Sequence, residues 1–263
     1  MTPQVLHSAK QSQQAGKQSE AHSFCGVRFD NLDAAATLKQ CAEITTTDKF
    51  RFIVTPNVDH VVRLNQEPNV FKPLYEAAWL SVCDSRILQL LAKISGQSLP
   101  VVPGSDLTAA LFAEIIDPDE PVNVIGSDDA VIAKVIARYG LTRMQHHQPP
   151  MGLRKKPKAV AAAAKFIADH PARFTFICVG SPQQEMVAKA AFEIKNTKGL
   201  GLCVGASLDF LAGKVKRAPA WMQKTRLEWL YRLFSEPKRM WKRYLVEGPK
   251  IFIIWAKWAV ARN

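Results

Sequence analysis

The sequence predicts an α/β fold, a doubly wound and mostly parallel Rossmann-like sheet that carries a C-terminal helical appendage. Short apolar runs of strand length alternate with helical segments of about 10–15 residues, which is the pattern of βαβ units. The apolar runs end at Gly, Pro, Asn or Asp, as strands do before a loop. Positive charge and tryptophan are concentrated in the last 50 residues, which sets that segment apart from the sheet.

The elements follow one another in a regular alternation. After an ordered piece at 24–30, we predict strands at 50–55, 79–83, 122–125, 174–179 and 202–204. We predict helices at 31–47, 58–65, 69–78, 86–94, 105–116, 128–139, 156–169 and 183–195. Pro149 and Pro150 predict an irregular loop from His146 to Met151.

The ends of the predicted strands are the first candidate site. Ligands of doubly wound sheets bind beyond the carboxyl ends of the strands. Six residues hold such positions: Thr55, Asn57, Asp84, Gly126, Gly180 and Gly205.

The charge divides the chain into three parts. Residues 214–263 contain thirteen Lys or Arg and three Glu, which accounts for ten of the net charge of +12, and five of the six Trp. We therefore predict a disordered, polar tail at 1–22, an α/β core at 23–213 and a basic, Trp-rich helical appendage at 214–263. This charge predicts an anionic partner, which is a nucleic acid, a phospholipid or a phosphorylated substrate.

Several classes of site are absent from the sequence. It has no GxGxxG fingerprint, no Walker loop and no His or Cys spacing typical of zinc, and its five cysteines read as buried free thiols. Asp117-Pro118-Asp119 has a DxD form but falls between a helix and a strand, where it reads as a turn. We expect neither a metal nor a cofactor.

Three polar residues at strand ends have two interpretations each. Asp84 follows an apolar strand, where desolvation can raise the pKa of a carboxyl and suit it to general-base catalysis. Alternatively, Asp84 or Ser85 caps the next helix. Thr55 and Asn57 could hydrogen-bond a sugar hydroxyl, or they too could cap a helix.

Five runs in the chain occur in a characteristic order. They are Thr55-Pro56-Asn57-Val58-Asp59-His60, Gly104-Ser105-Asp106-Leu107, Gly180-Ser181-Pro182-Gln183-Gln184-Glu185, Gly205 to Pro219 (GASLDFLAGKVKRAP), and Glu228-Trp229-Leu230-Tyr231-Arg232-Leu233 with Glu236-Pro237. Together they closely resemble the WecG/TagA/CpsF glycosyltransferases (glycosyltransferase family 26). The resemblance extends from about Cys25 to Leu245.

The resemblance implies an inverting, metal-independent glycosyltransferase of bacterial exopolysaccharide or cell-surface glycan synthesis. It would move a hexose, of glucose or N-acetylmannosamine type, from a UDP-sugar to a polyprenyl-diphosphate-linked acceptor. The family pattern makes Asp84 the base and puts Thr55, Asn57 and Gln184 in the substrate pocket. We expect the other matching residues around the same pocket: Gly104, Ser105, Asp106, Gly126, Gly180, Glu185, Gly205 and Asp209.

The chain departs from the family pattern next to the expected base. Where the family commonly has Asp-Gly-x-Gly, this sequence has Asp84-Ser85-Arg86-Ile87, and Arg86 adds a charge that could bind a phosphate. The loop from His146 to Gly152 differs as well. These departures favour the exopolysaccharide branch of the family.

The basic appendage supplies candidates for two further tasks. Arg217, Arg226 and Arg232 could stabilise the charge that develops on a leaving diphosphate. Trp, Leu and Phe among many cations are typical of a segment that lies on an anionic membrane. The longest late apolar run, 251–260, contains Lys257 and is too short to span a bilayer, so we expect a soluble or peripheral protein. Together with the family resemblance, this implies a peripheral protein on the cytoplasmic face of the inner (plasma) membrane.

Two other functions are consistent with the sequence. A nucleic-acid-binding protein would use the same cations for phosphates and the Trp side chains for stacking, although the apolar run Ile251-Phe252-Ile253-Ile254 suits a wet groove poorly. A non-catalytic assembly protein could retain the transferase fold. The apolar face of the appendage would also suit a homo-oligomer.

Overall fold

The computed structural model describes residues 21–215, 218–219, 222 and 228–262. Most of the predicted tail and the appendage residues Arg217 and Arg226 lie outside this range. The description begins with a hairpin of β1 (Ala21–Phe24) and β2 (Val27–Asp30), which the sequence analysis recognised only as an ordered piece.

The centre of the molecule is a six-stranded sheet in which every paired neighbour is parallel. Its strands are β3 (Arg51–Val54), β4 (Leu80–Ser81), β5 (Val122–Gly126), β6 (Met144–His147), β7 (Phe174–Cys178) and β8 (Leu200–Cys203). The spatial order is β4-β3-β8-β7-β5-β6. The chain runs from β3 to the edge at β4, crosses to β5 and the opposite edge at β6, and returns through β7 to β8 beside β3. The predicted α/β class is confirmed.

Helices connect the strands and cover both faces of the sheet. Those before residue 215 are α1 (Ala34–Ala42), α2 (Val58–Gln66), α3 (Pro68–Glu76), α4 (Arg86–Ile94), α5 (Gly104–Ala110), α6 (Asp129–Tyr139), α7 (Pro157–Asp169), α8 (Gln183–Glu193) and α9 (Ser207–Leu211). The described part of the appendage contains α10 (Glu228–Ser235), α11 (Pro237–Trp241), a π-helical segment (Lys242–Glu247) and α12 (Lys250–Arg262).

The strands are apolar on both faces because each face packs against helices. In β3, Phe52 and Val54 join a core cluster with residues of α2, α4 and α8, whereas Ile53 joins a second cluster with residues of α5 and α6. A continuous apolar run is therefore the expected pattern for such a strand, and it is why the sequence located this sheet.

The predicted irregular loop at His146–Met151 is wrong at its first two residues, which belong to a strand. Residues 144–147 form β6, an edge strand paired with β5. Its sequence, Met-Gln-His-His, lacks apolar alternation because the strand is only partly buried. The backbone pairing and the contact of His146 Nε2 with the Gly126 carbonyl, at 2.8 Å, stabilise the strand, and neither appears in a hydropathy pattern.

The end of the appendage packs on the core. Ile251 is 1% exposed and belongs to the same cluster as the α2 and α4 side chains. Trp255 Nε1 donates to Ser95 Oγ at 2.8 Å, and the ring of Trp258 lies edge-on to Phe24 at 4.9 Å. Among the described residues, no helix combines the length and the apolar character that crossing a bilayer would need.

Gly199 allows β8 to enter the sheet, and its replacement tests the packing there. Its φ is +86°, and an added Cβ would lie 2.0 Å from the Ala172 carbonyl oxygen. Gly199→Ala should lower the free energy of unfolding by about 3 kcal/mol, since left-handed backbone costs about 1–2 kcal/mol and forced overpacking about 1–3 kcal/mol. Urea unfolding followed by circular dichroism measures the change.

Gly96→Ala is the matched control for this prediction. Gly96 also has a positive φ, +71°, but an added Cβ would meet nothing within 4 Å. We expect a loss of only about 1–2 kcal/mol, from the backbone alone. Equal losses in the two variants would contradict the tight packing assigned to Gly199.

Candidate active site

A pocket of about 590 Å³ opens at the carboxyl ends of β3 and β4. Its walls come from the loops after these two strands, from the first turns of α4 and α5, and from α10, the π-helical segment and α12 of the appendage. Six of the site residues predicted from the sequence line this pocket: Asn57, Asp84, Arg86, Ser105, Asp106 and Arg232. The pocket therefore lies where a parallel sheet binds ligands, and the appendage forms one of its sides.

Asp84 is fixed on the pocket wall by backbone contacts on both sides. Its N–H donates to the Pro56 carbonyl at 2.9 Å, and the carbonyl of Cys83 accepts from Val102 N at 2.7 Å. Ser85 is the N-cap residue of α4, with its hydroxyl accepting from Leu88 N at 3.3 Å. Of the two residues that could cap this helix, Ser85 does so and Asp84 does not.

Asn57 does cap a helix, and it also contacts the appendage. Its Oδ1 accepts from Asp59 N at 3.1 Å at the start of α2, and from Arg243 Nη2 at 3.1 Å. Arg243 Nε lies 3.9 Å from the Asp59 carboxylate. Neither Asp59 nor Arg243 could be selected from the sequence, because one cation among thirteen in the appendage cannot be assigned a partner 186 residues away.

Thr55 and Gly104 lie behind the pocket wall. Thr55 is buried, and its Oγ1 donates to the Cys203 carbonyl at 3.1 Å. A Cβ on Gly104 would approach this Oγ1 within 3.3 Å, so glycine lets the start of α5 sit against the end of β3. Ser105 and Asp106, next in α5, face the pocket.

Gln184, Glu185 and Gly205 form a separate, buried cluster at the ends of β7 and β8. Gln184 Oε1 accepts from Gly205 N and its Nε2 donates to Glu185 Oε1, both at 2.9 Å. Tyr75 OH donates to the same Glu185 oxygen at 3.2 Å. Gln184 and Glu185 are buried and do not line the pocket, so they hold α8 to the strand ends.

Arg63 connects this buried cluster with the pocket. It donates to Ser181 Oγ at 2.9 Å and to Asp59 Oδ2 at 2.5 Å, and Ser181 Oγ lies 3.3 Å from Tyr75 OH. Burial raises the pKa of the Glu185 carboxyl. Burial also raises the pKa of the Tyr75 hydroxyl, and the nearby Glu185 charge adds to it.

Gly126 and Gly180 lie at strand ends and Asp209 lies in α9, and none of the three lines the pocket. The Gly126 carbonyl contacts His146, and the Gly180 carbonyl accepts from Gln184 N at 2.9 Å. Asp209 Oδ1 lies 3.9 Å from Lys214 Nζ. The structure thus separates the expected site residues into a pocket group and a group that supports the strand ends.

Three cations line the described part of the pocket: Arg86, Arg232 and Arg243. The Arg232 guanidinium lies 5.1 Å from the centre of the Phe210 ring. Tyr244 and Trp229 complete the appendage side, with their rings 6.1 Å apart. In the part of the chain that the structure describes, no group of three His, Cys, Asp or Glu could hold a metal ion.

One comparison with known proteins covers almost the whole chain. The model of the glycosyl transferase WecG/TagA/CpsF family matches residues 22–263. This match includes the strand ends, the pocket and the entire appendage. It indicates glycosyltransferase activity in cell-surface glycan synthesis.

The raised pKa of Glu185 predicts a pH dependence of stability. The folded protein binds the Glu185 proton more tightly than the unfolded chain does. The carboxyl therefore lowers the free energy of unfolding as the pH rises above about 4.3, the ordinary carboxyl pKa, and this loss is complete once the pH exceeds the raised pKa. Glu185→Gln carries no charge and should gain stability relative to the wild type as the pH rises above about 4.3. Urea unfolding of both proteins at each pH measures this difference.

Glu114→Gln serves as the control, since Glu114 is exposed on the surface. Its stability relative to the wild type should stay constant over the same pH range. If the difference in the free energy of unfolding between Glu185→Gln and the wild type does not change with pH either, the buried carboxyl does not retain its proton on folding.

Proposed function

We propose that this chain, which belongs to the WecG/TagA/CpsF glycosyltransferase family, moves a hexose from a UDP-sugar to a polyprenyl-diphosphate-linked acceptor. The hexose is of glucose or N-acetylmannosamine type. The reaction inverts the anomeric centre and needs no metal. It takes place on the cytoplasmic face of the inner membrane, with the appendage on the lipid surface.

One observation carries the catalytic part of the proposal: Asp84 lines a pocket at the carboxyl ends of β3 and β4 that the appendage covers. The Asp84 carboxylate takes the proton of an acceptor hydroxyl as its oxygen attacks the anomeric carbon. The bond from this carbon to the diphosphate oxygen breaks in the same step, and UDP leaves. A single displacement of this kind inverts the configuration.

The negative charge on the leaving diphosphate requires positive partners in the pocket. Arg232, on the appendage side of the pocket, is placed to supply one. The N-terminus of α4, beside Asp84, presents backbone N–H groups that also favour an anion. Preorganised donors and cations of this kind stabilise developing charge in a transition state, which is the role we assign to them.

The surface of the appendage supports the membrane part of the proposal. It exposes large apolar side chains: Phe234, Trp241, Leu245, Val246, Phe252, Ile253 and Val260. Exposed cations lie among them: Lys238, Lys242, Lys257 and Arg262. Apolar side chains that enter the interface and cations that attract anionic lipids act together in peripheral binding. The same apolar face would suit a second copy of the chain.

Asp84→Asn should lower kcat by about a hundredfold or more, because an amide cannot accept the acceptor proton. The affinity for the UDP-sugar should stay nearly unchanged, since the amide has almost the same shape. Mass spectrometry of transfer to a polyprenyl-diphosphate-linked sugar, with a chelator present, gives kcat, and fluorescence titration gives donor affinity.

Asp106→Asn is the comparison, because Asp106 is another carboxylate on the same pocket wall. It should reduce turnover far less than Asp84→Asn does. Turnover close to that of the wild type in Asp84→Asn would eliminate Asp84 as the base. Activity that disappears with the chelator would contradict the metal-independent reaction.

The double variant Phe234→Ser, Val260→Ser should weaken binding to anionic phospholipid vesicles by roughly tenfold or more, because both side chains are 76% exposed and would enter the lipid interface. Vesicle flotation measures the binding. The fold should be unchanged, since neither side chain is in the core.

Met151→Ser is the matched control, because Met151 is exposed on the surface of the α/β domain rather than on the appendage. It should leave vesicle binding intact. Oligonucleotide binding that exceeds vesicle binding would favour the nucleic-acid alternative. Self-association that does not change with added vesicles would assign the apolar face to an oligomer instead.

A further inference from the structure

The pocket has two chemically different ends. At the strand ends it is polar, with Asn57, Asp84, Ser105 and Asp106. The remaining wall between α4 and the appendage is mainly apolar, with Ile87, Leu90, Leu91, Leu245, Ile251 and Phe252. A nucleotide sugar offers polar and anionic groups but no apolar chain, so the donor alone does not account for the second end.

The order of residues along α4 relates the two ends. The helix begins beside Asp84 with Arg86, and Ile87, Leu90 and Leu91 follow on the face that lines the pocket. With a rise of about 1.5 Å per residue, Leu90 lies about 6 Å further along the axis than Arg86. Along this wall of the pocket, the chemical character therefore changes from an acid to a cation and then to an apolar surface.

The appendage repeats this order on the opposite wall. Arg243 contacts Asn57 at the polar end, and Leu245, Ile251 and Phe252, which come later in the chain, line the same pocket. Trp255, one turn after Ile251, donates to Ser95 just beyond the end of α4. α12 thus follows α4 away from the strand ends, and the two helices form the sides of one groove.

Several apolar residues of the groove are open to solvent. Leu90 is 37% exposed, Phe252 53% and Leu245 56%. Large apolar side chains gathered on one concave surface mark a site for an apolar partner. The arginines beside these apolar side chains indicate that the same partner carries an anionic group where its polar part begins.

We propose that this groove binds the first isoprene units of the acceptor lipid. The diphosphate of the acceptor lies at Arg86 and Arg243, and its sugar lies at Asp84. This inference rests on the proposed function, which supplies an acceptor made of a sugar, a diphosphate and an isoprenoid chain in that order. The groove presents matching chemistry in the same order, and its exposed apolar mouth lets the rest of the chain remain in the bilayer.

The test measures binding without vesicles and without turnover. Isothermal titration gives the affinity of the wild type for isopentenyl, geranyl and farnesyl diphosphate, with inorganic diphosphate as the chain-free probe. We expect the affinity to rise at least about tenfold from isopentenyl to farnesyl diphosphate, because each added isoprene unit buries apolar surface. Leu90→Ser and Phe252→Ser should remove most of this gain and leave the affinity for inorganic diphosphate unchanged.

Val70→Ser is the matched control, since Val70 on α3 is 54% exposed and lies outside the pocket. It should retain the full gain with chain length, and thermal unfolding should show that all three variants fold. Equal affinity of the wild type for the three isoprenoid diphosphates would overturn the groove. A gain that persists in both Leu90→Ser and Phe252→Ser would overturn it as well.

Transfer assays separate this inference from the proposed function. If the chain-length pattern is present but no sugar moves to any lipid-linked acceptor, the groove stands and the proposed transfer fails. If sugar moves with equal kcat/KM to isopentenyl- and farnesyl-diphosphate-linked acceptors, the transferase stands and the groove is overturned.

Discussion

The hydrogen bond from Asp84 N to the Pro56 carbonyl is the contact on which the candidate site depends. It joins the ends of β4 and β3 just beyond the pairing of Val54 with Ser81. Because both strands run in the same direction, their following loops emerge at one edge, and α2 and α4 begin there. Asn57 and Asp84 are thereby brought into one pocket, and the N–H groups of two helix ends are directed to the same region.

The appendage is part of this arrangement and not an independent attachment. Arg243 contacts Asn57 and Asp59 at the strand ends, while Ile251, Trp255 and Trp258 pack on the core. Through Asp59 and Arg63 the contact continues to the buried cluster of Tyr75 and Glu185. The appendage therefore forms part of the pocket wall and is linked through these contacts to the residues that hold α8 to the sheet.

The alternation of strands and helices could be predicted because both faces of the sheet are covered, so its inner strands are mostly apolar. The pattern failed where burial is incomplete, as in β6, whose pairing with β5 replaces hydropathy as the reason for its structure. Asp84 could be selected as a pocket residue from its position after a strand and from the family resemblance. The pocket group and the supporting group could not be separated in this way, since Gln184 and Asn57 look equally polar in the sequence although Gln184 is buried and Asn57 lines the pocket.

The sequence by itself determined the fold class, the strand ends, the cationic appendage and the family, because these follow from periodicity, turn residues and local motifs. Only the tertiary structure decided which residues meet. Arg243 and Asn57 are 186 positions apart, and so a local pattern holds no information on their contact. The groove between α4 and α12 likewise depends on how two distant helices pack, and the same apolar residues would have formed an ordinary core had α12 lain closer to α4.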